Sequence, residues 1–212
     1  MGDFTHERAP YVLGVDLDGV CADYTKAFQS YVARTLGLDE DSMGVQHSWK
    51  FEECGWGIRD RQHFLQLHRD AVVQEHMFAK MPEIPGASDA LWHLSDMGVY
   101  IRIITHRLVF NWEHEVTVSD TVHWLQQKRT DGRPRIPYRD MCFCAKKGDV
   151  GADLYIDDAP HNIAALRKNR SEAICFDAPY NQDVPGLRVS NWDQIVAIVE
   201  ERLVERGKLE NM

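Results

Sequence analysis

Two aspartates one residue apart, Asp16 and Asp18, follow directly after a short apolar run and are themselves followed by Gly19. The apolar run, residues 11–15, ends at a turn signal, which predicts a strand buried on both faces within a parallel sheet. Ligands of open α/β sheets bind just beyond the carboxyl ends of the strands. Two carboxylates are costly to hold there without a cation or a proton. The pair therefore favours an oxygen site for a hard divalent ion, and one carboxylate could attack phosphorus to form an aspartyl-phosphate.

The same residues are compatible with simpler structures. An Asp-Gly pair after a strand is also typical of a hairpin turn, and this stretch alone does not separate the two. An EF-hand loop is excluded, because its sixth position must be glycine and counting from Asp16 gives Cys21. A glycine-rich dinucleotide or Walker fingerprint does not follow the strand either. The rest of the chain must decide between a turn and a site.

Composition limits the possible partners. The chain has 212 residues, of which 44% are hydrophobic, enough for one α/β core with an insertion or for two small domains. The formal net charge of −9 disfavours a nucleic-acid polymer as partner but allows a small anionic substrate. No apolar run reaches the roughly 18–20 residues of a membrane span, and residues 1–10 lack an apolar signal core. We therefore expect a cytoplasmic protein with no membrane partner.

The cysteines do not indicate a disulfide framework or a zinc site. Their count of five is odd, and the closest pair, Cys142 and Cys144, has one residue between its members. That spacing fits neither a zinc ligand set nor a redox pair. On a strand the two side chains would share a face, where buried free cysteine behaves as a small hydrophobe. We expect them to fill the core.

Two helical segments and an aromatic stretch are predicted after the first strand. Apolar residues recur at helical spacing over residues 22–36 and 59–78, and Gly37 is typical of a helix end. Residues 38–57 differ in kind, because they are broken by glycines and rich in aromatic side chains. Residues 82–86 contain two prolines and a glycine, which predicts a linker. The first strand is thus separated from the later ones by an insertion.

This pattern divides the chain into two parts. We expect a small, mostly helical cap at residues 21–83. Residues 11–20 and 84–206 then form the core, with flexible tails at 1–10 and 207–212. The cap is inserted where it could close over the end of the first strand.

Strands and helices alternate from residue 85 onward, which is typical of a parallel sheet wrapped by helices. Ser190, with Asp193 three positions later, is a capping-box signature for the last helix. The fold class is therefore α/β, a Rossmann-like parallel sheet with helices on both faces. Strands are predicted at residues 99–105, 141–144, 153–157 and 173–176, and helices at 87–97, 119–129, 162–169 and 192–206.

Chemically useful side chains recur at the ends of these predicted strands. Strands must end somewhere, so single polar groups at such positions mean little. The whole set in one order is far less expected by chance. In chain order, the set comprises Asp16 with Asp18, Thr105, Lys146 with Lys147, and Asp157 with Asp158.

The order of these groups resembles that of the haloacid dehalogenase superfamily of phosphotransferases. Its motifs are a strand ending Asp-x-Asp-Gly, a strand ending in Thr or Ser, a Lys, and a strand ending in an acidic pair. The stretch DLDGVCADY, the spacing after Lys147, and the late Pro179-Tyr180-Asn181 followed by Trp192 resemble the 5′(3′)-deoxyribonucleotidase branch more narrowly. The four motifs stand here as DLDGV (16–20), IIT (103–105), Lys147 and IDD (156–158).

The resemblance implies four catalytic residues in a phosphohydrolase. Asp16 would be the nucleophile, and Asp18 would protonate the leaving oxygen and later activate water. Thr105, with the backbone N–H after it, would bind the phosphoryl oxygens. Lys147, favoured over its neighbour Lys146 by spacing, would neutralise the phosphate and restrain Asp16. Catalysis would then consist mainly of positioning and charge stabilisation.

The resemblance also implies Mg²⁺ as cofactor. Asp16 would ligate it through its carboxylate, and Asp18 through its backbone carbonyl. One or both of Asp157 and Asp158 would complete the octahedral oxygen shell. The choice between the last two stays open, because neighbours on a strand face opposite ways.

The sequence departs from the branch after Thr105, where a small hydroxyl residue and Pro are usual. Here the next residues are His106 and Arg107, which we count as candidate substrate-binding residues. Arg107 could be an extra phosphate-binding fork or a solvated loop residue. The departure bears on nucleotide specificity more than on phosphatase chemistry.

Three aromatic residues of the insertion are further candidates for substrate binding. Trp49, Phe51 and Trp56 could stack a base, or they could form the small core of the cap. A nucleoside monophosphate is the substrate that the motifs favour. A sugar phosphate or another small phosphomonoester is the alternative, followed by a binding protein that has lost turnover. Monomer and homodimer are not distinguished by the sequence.

Overall fold

The computed structural model describes residues 10–108 and 113–209, and within them a six-stranded parallel sheet. The strands are β1 (Val12–Val15), β2 (Tyr100–Thr105), β3 (Asp140–Phe143), β4 (Leu154–Asp157), β5 (Ala173–Phe176) and β6 (Arg188–Val189). Their order in the sheet is β3-β2-β1-β4-β5-β6, so the first strand of the chain lies inside the sheet. The Rossmann-like α/β class predicted from the sequence is confirmed.

Strand β1 is buried on both faces, as its unbroken apolar run predicts. Leu13 pairs with Ile101 of β2 on one side and with Leu154 of β4 on the other. The side chains of Leu13 and Val15 are fully buried. Gly14 is close-packed, because a Cβ there would lie 2.8 Å from Ile104 Cδ1. Both pairings are parallel, so the hairpin alternative for this stretch is wrong.

The insertion between β1 and β2 contains helices α1 (Tyr24–Leu36), α2 (Arg61–Val73) and α3 (Met77–Lys80). The sequence predicted one helix over residues 59–78, and the structure has two there. The break falls at His76, whose φ of 54° is left-handed and cannot continue a right-handed helix. The insertion is therefore mostly helical, with one more helix than expected.

The two ends of the insertion lie side by side. Asp23 N donates to Pro82 O at 2.8 Å, and Ile84 N donates to Cys21 O at 2.8 Å. Ala22 and Glu83 form an antiparallel bridge between these bonds. The chain thus leaves the sheet and returns to it through one narrow neck.

The remaining helices are α4 (Ala87–Asp96), α5 (His114–Gln126), α6 (Pro160–Lys168) and α7 (Trp192–Leu209). Helix α5 begins earlier than the predicted residue 119. Helix α7 continues to Leu209, so residues 207–209 are helical and not part of a tail; the rest of the predicted tails, apart from Pro10, lies outside the described residues. The N-cap of α7 is Asn191, whose Oδ1 accepts from Gln194 N at 3.0 Å, and not Ser190.

Apolar side chains cover both faces of the sheet. The larger cluster joins the inner side chains of the sheet to those of the insertion and of α4, α5 and α7. The smaller cluster contains Ile163 and Leu166 of α6 on the opposite face. Over residues 10–108 and 113–209, no helix is both long and apolar enough to cross a membrane.

Candidate active site

Three neighbouring strands deliver polar side chains to one edge of the sheet. Asp16 follows the last residue of β1, Thr105 ends β2, and Asp157 ends β4. Because β1 lies between β2 and β4, these ends are adjacent. All three residues are buried, with exposed fractions of 7% or less. The fold thereby brings together groups that are up to 141 residues apart in the chain.

Lys147 bridges two of these strands. Its Nζ lies 2.8 Å from Asp16 Oδ2 and 2.7 Å from Asp157 Oδ2. Burial alone would lower the pKa of Lys147, but the carboxylates of Asp157 and Asp16 outweigh it and raise that pKa. Lys146 is exposed. Of the two candidate lysines, the structure therefore places Lys147 at the carboxylates.

Asp16 is held in a fixed orientation. Its Oδ1 accepts a hydrogen bond of 2.8 Å from Leu17 N, and its Oδ2 faces Lys147. Burial raises the pKa of Asp16 to about 7, although the Lys147 ammonium opposes the shift. The carboxylate is therefore oriented and poorly hydrated, and its pKa lies near neutral pH.

Three carboxylates converge beside the lysine. Oxygens of Asp16, Asp157 and Asp158 all lie within 4.8 Å of one another, and all three residues are buried. Burial raises the pKa of Asp158 well above its usual value, and the neighbouring Asp157 and Asp16 raise it further. One lysine cannot balance three buried carboxylates. An all-oxygen donor set with excess negative charge fits a hard divalent cation.

The two carboxylates of the acidic pair have different surroundings. Asp157 Oδ2 accepts from Lys147, and its Oδ1 accepts from Ala159 N at 2.9 Å and from Asn162 Nδ2 at 3.1 Å. Asp158 Oδ2 accepts from the hydroxyl of Tyr180. Asp157 therefore has both oxygens occupied by protein donors.

Two polar atoms at the same edge have no hydrogen-bond partner among the residues that the structure describes. They are Thr105 Oγ1 and His106 Nε2, and each is buried. Burial lowers the pKa of His106 to about 4, with Lys147 contributing, so its imidazole is neutral near pH 7. Both residues line the cavity described below. Unpaired buried polar atoms facing a cavity are typical of a ligand site.

Arg107 occupies a position that neither sequence interpretation anticipated. Its side chain is only 1% exposed, so the solvated-loop interpretation is wrong. Its Nε lies 3.1 Å from Asp18 Oδ2 and its Nη2 lies 2.7 Å from Asp18 Oδ1. The fork expected to bind phosphate is thus occupied by the second aspartate of the motif.

A cavity of about 200 Å³ opens over these groups. Asp16, Asp18 and Thr105 at the sheet edge line it, together with side chains of the insertion and of the segments that follow β2, β4 and β5. The cavity thus lies between the sheet edge and the inserted helices. The cavity-lining side chains of the insertion are Tyr24, Thr25, Gln46, Trp49, Phe51, Arg61, Phe64, His68 and Phe78.

The three candidate stacking residues do not share one environment. Trp49 is 45% exposed and borders the cavity beside the rings of His161 and Tyr180, at 5.1 and 5.5 Å. Phe51 lines the cavity and stacks on Phe64, which lines it as well. Trp56 is 1% exposed and donates to Gly44 O at 2.7 Å, away from the cavity lining. Trp56 therefore belongs to the core of the insertion, and a stacking role for it is wrong.

Several lining residues were missed by sequence reasoning. Tyr24 and His68 are paired, with the tyrosine hydroxyl 2.6 Å from His68 Nδ1. Asn162 and His161 enter from the start of α6. Tyr180 was noted only as part of a motif. Tyr24 and His68 are 44 residues apart, so no local sequence pattern predicts that they pair. Asn162 lies in the first turn of the helix that follows the acidic pair, and this position could have indicated a role at the site.

The fold is shared with solved haloacid dehalogenase-like hydrolases. A haloacid dehalogenase-like hydrolase from Streptococcus pneumoniae is similar in fold, with a TM-score of 0.55 at 14% identity over 90% of this chain and 98% of that one. A hydrolase of the same superfamily from Geobacter sulfurreducens has a TM-score of 0.54 at 13% identity, over 89% and 96% of the two chains. These likenesses concern the fold.

Sequence comparison places the chain more narrowly. The family model described as "5' nucleotidase, deoxy (Pyrimidine), cytosolic type C protein" matches residues 10–206, and the chain belongs to this family. A protein of Chlorobaculum tepidum named "Putative 5'(3')-deoxyribonucleotidase" is 39% identical over 92% of this chain and 93% of its own length. The 5'(3')-deoxyribonucleotidase of Clostridium acetobutylicum is 28% identical over 89% and 94%. The resemblance inferred from the motifs is confirmed.

Proposed function

We propose that this protein is a Mg²⁺-dependent phosphomonoesterase that cleaves nucleoside monophosphates through an aspartyl-phosphate on Asp16. The observation that carries the proposal is the buried Asp16, paired with Lys147 beneath an aromatic-walled cavity. The names of the sequence relatives support a nucleotide substrate. The binding-protein alternative does not fit a member of this enzyme family.

The phosphate group is bound in the cavity at the sheet edge. Thr105 Oγ1, which has no hydrogen-bond partner within residues 10–108 and 113–209, donates to a phosphoryl oxygen. Lys147 adds a positive charge that is already held in place by Asp16 and Asp157. Preorganised groups of this kind stabilise charge in the transition state without reorganising at the moment of reaction.

The reaction proceeds in two displacements. In the first, an Asp16 oxygen forms a bond to phosphorus, the bond to the nucleoside oxygen breaks, and Asp18 donates a proton to that oxygen. In the second, Asp18 takes a proton from water, which attacks the aspartyl-phosphate and releases phosphate and free Asp16. Asp18 lines the cavity with Asp16, which suits this acid–base role.

Asp16, Asp158 and the backbone carbonyl of Asp18 would hold the cation. Asp158 would be the direct carboxylate ligand of the acidic pair, because Asp157 is already held by three protein donors, Lys147, Ala159 and Asn162. Asp158 accepts from the hydroxyl of Tyr180. Asp157 instead orients Lys147. Bound Mg²⁺ supplies positive charge against the phosphoryl oxygens and Asp16.

Residues 21–83 form a cap over this site. That segment contributes aromatic side chains, including Trp49 and Phe51, to the lining of the cavity above the sheet edge. A base stacked against Trp49 would extend away from the phosphate site. Stacking on an aromatic ring tolerates any base, so the cap favours nucleotides without selecting one base.

Phosphate release from a substrate panel tests the proposal. The panel contains 5′- and 3′-nucleoside and deoxynucleoside monophosphates and sugar phosphates, each with Mg²⁺ and with EDTA. We expect release that needs Mg²⁺ and a kcat/KM at least about tenfold higher for nucleotides. Equal rates on sugar phosphates would contradict the nucleotide assignment and leave the catalytic residues in place. Absence of release from the whole panel would contradict the proposed reaction.

A further inference from the structure

The guanidinium of Arg107 is fixed from three directions. Its Nε and Nη2 form the two-point contact with Asp18 described above. Its third nitrogen, Nη1, donates to Thr121 Oγ1 of α5 at 2.9 Å. Its Cζ lies 4.1 Å from the ring centroid of Phe78 in α3. The insertion and the core therefore share in holding one arginine.

This arrangement leaves the arginine little freedom to do anything else. Every guanidinium nitrogen is engaged, and the side chain is 1% exposed. Asp18, by contrast, keeps 29% of its side chain exposed and lines the cavity. Asp18, the more exposed partner, can therefore reach a substrate in the cavity, whereas Arg107 is fixed in the protein interior.

We propose that Arg107 is a positioning residue that sets the direction of the Asp18 carboxylate toward the leaving oxygen and the attacking water. The inference rests on the proposed function, in which Asp18 exchanges protons with both. An acid–base carboxylate must lie within hydrogen-bond reach of the atom that it serves. A misplacement of about 1 Å can cost on the order of 10²-fold in rate. A planar two-point fork fixes both the place and the plane of a carboxylate, which a single ammonium contact does not.

A double-mutant cycle tests this dependence. Wild type, Arg107→Gln, Asp18→Asn and the double variant are compared on the phosphomonoester that the wild type hydrolyses fastest. We expect Arg107→Gln to lower kcat by about 10–100-fold with KM changed less than about threefold. In the Asp18→Asn background the same change should cost less than about twofold, because the residue acts through Asp18. A further tenfold loss in that background would overturn the inference.

Two more variants separate positioning from folding and from phosphate binding. Arg107→Met keeps a side chain of similar length over Phe78 and removes the fork, so its kcat should match that of Arg107→Gln. Arg133→Gln is the matched control, because Arg133 pairs with Asp96 at 2.8 Å and covers the Trp92 ring at 4.5 Å, outside the cavity. Its kinetics should equal those of the wild type. A raised KM with unchanged kcat in the Arg107 variants would mean phosphate binding and overturn the inference.

A leaving-group comparison gives a third measurement. p-Nitrophenyl phosphate has a leaving group that needs little protonation, so its kcat/KM should fall less than about threefold in Arg107→Gln. The kcat/KM of Arg107→Gln for the nucleotide should fall by the same factor as its kcat. Equal losses on both substrates would contradict the inference while leaving the proposed function intact. A wild type that hydrolyses neither substrate would overturn the proposed function, and the inference with it.

Discussion

Gly19 packs directly against Asp158: a Cβ on Gly19 would lie 2.7 Å from Asp158 Cγ. The φ of Gly19 is +76°, so a larger residue would also be strained there. We expect Gly19→Ala to displace the Asp158 carboxylate and to weaken Mg²⁺ binding by at least about tenfold. Calorimetric titration with Mg²⁺ measures this directly.

Gly37 provides the matched control for that substitution. Its φ is +67°, and a Cβ there would meet none of the residues that the structure describes within 4 Å. Gly37→Ala should therefore cost about 1 kcal/mol of stability from the backbone alone, with Mg²⁺ affinity unchanged. Equal Mg²⁺ affinity in the two variants would show that Gly19 has no part in shaping the cation site.

Asp16→Asn removes the nucleophilic charge while keeping the side-chain shape. We expect kcat to fall by at least about 10³-fold, since an amide does not attack phosphorus. Folding should survive, because Lys147 keeps its 2.7 Å contact with Asp157. Phosphate release measures the loss of kcat, and thermal unfolding shows whether the variant still folds. Asp177→Asn, which alters a carboxylate paired with Arg188 outside the cavity, should leave kcat unchanged.

The acidic pair should divide its work. Asp158→Asn is expected to raise the Kd for Mg²⁺ at least about tenfold, because a direct charged ligand is lost. Asp157→Asn should change the Kd less and should lower kcat, because Lys147 loses an anchoring charge. Calorimetry and steady-state kinetics on both variants distinguish them. The reverse order of Mg²⁺ affinities would exchange the two roles.

His68 should make the stability of the fold depend on pH. Burial lowers its pKa to about 4, against about 6.5 when unfolded. Between those values the unfolded chain binds the proton more readily, so the stability present above pH 6.5 is lost as pH falls. Single-group linkage gives a loss of about 2 kcal/mol from pH 7 to pH 5. Urea unfolding of wild type and His68→Gln at both pH values should show a smaller loss in the variant.

The control for this prediction is His93, whose imidazole pairs with Glu200 at the surface. His93→Gln should retain the pH dependence of the wild type between pH 7 and pH 5. An undiminished loss in His68→Gln would assign the pH dependence to other groups, of which the half-buried His106 is one.

Local patterns are sufficient for five of the six strands of the described sheet and for the acidic motifs. Strand β1 is an unbroken apolar run followed directly by Asp16 and Asp18, so the same short stretch predicts both the strand and the candidate site. The sequence predicts a start for helix α5 at residue 119, five residues after its actual start at His114. Val116, Thr117 and Val118 are β-branched and disfavour a helix in isolation. Packing against α3 and α2 outweighs that preference. Strand β6 has only two residues, too few to show a period.

The site was predictable in its residue types and less so in its pairings. Asp16, Asp157 and Lys147 lie near strand ends, where topology alone brings them together. The contact between Arg107 and Asp18 joins residues 89 positions apart and depends on side-chain direction. Trp49 and Trp56 are alike in sequence context, yet one borders the cavity and the other is buried. In a loop broken by glycines, tertiary packing decides the direction of each side chain, and the local sequence does not predict it.

The neck at Cys21 and Ile84 has a consequence for how such enzymes diversify. Because the inserted segment leaves and re-enters the sheet at one hydrogen-bonded point, its length and structure place no demand on the distance between β1 and β2. Loop-closure entropy also grows only slowly with length. A different insertion could be grafted between these two residues with the catalytic edge left in register. Under the proposed function, one segment joined to the sheet at a single neck therefore carries much of the cavity lining, and a replacement segment would have to restore the Phe78 contact that helps hold Arg107.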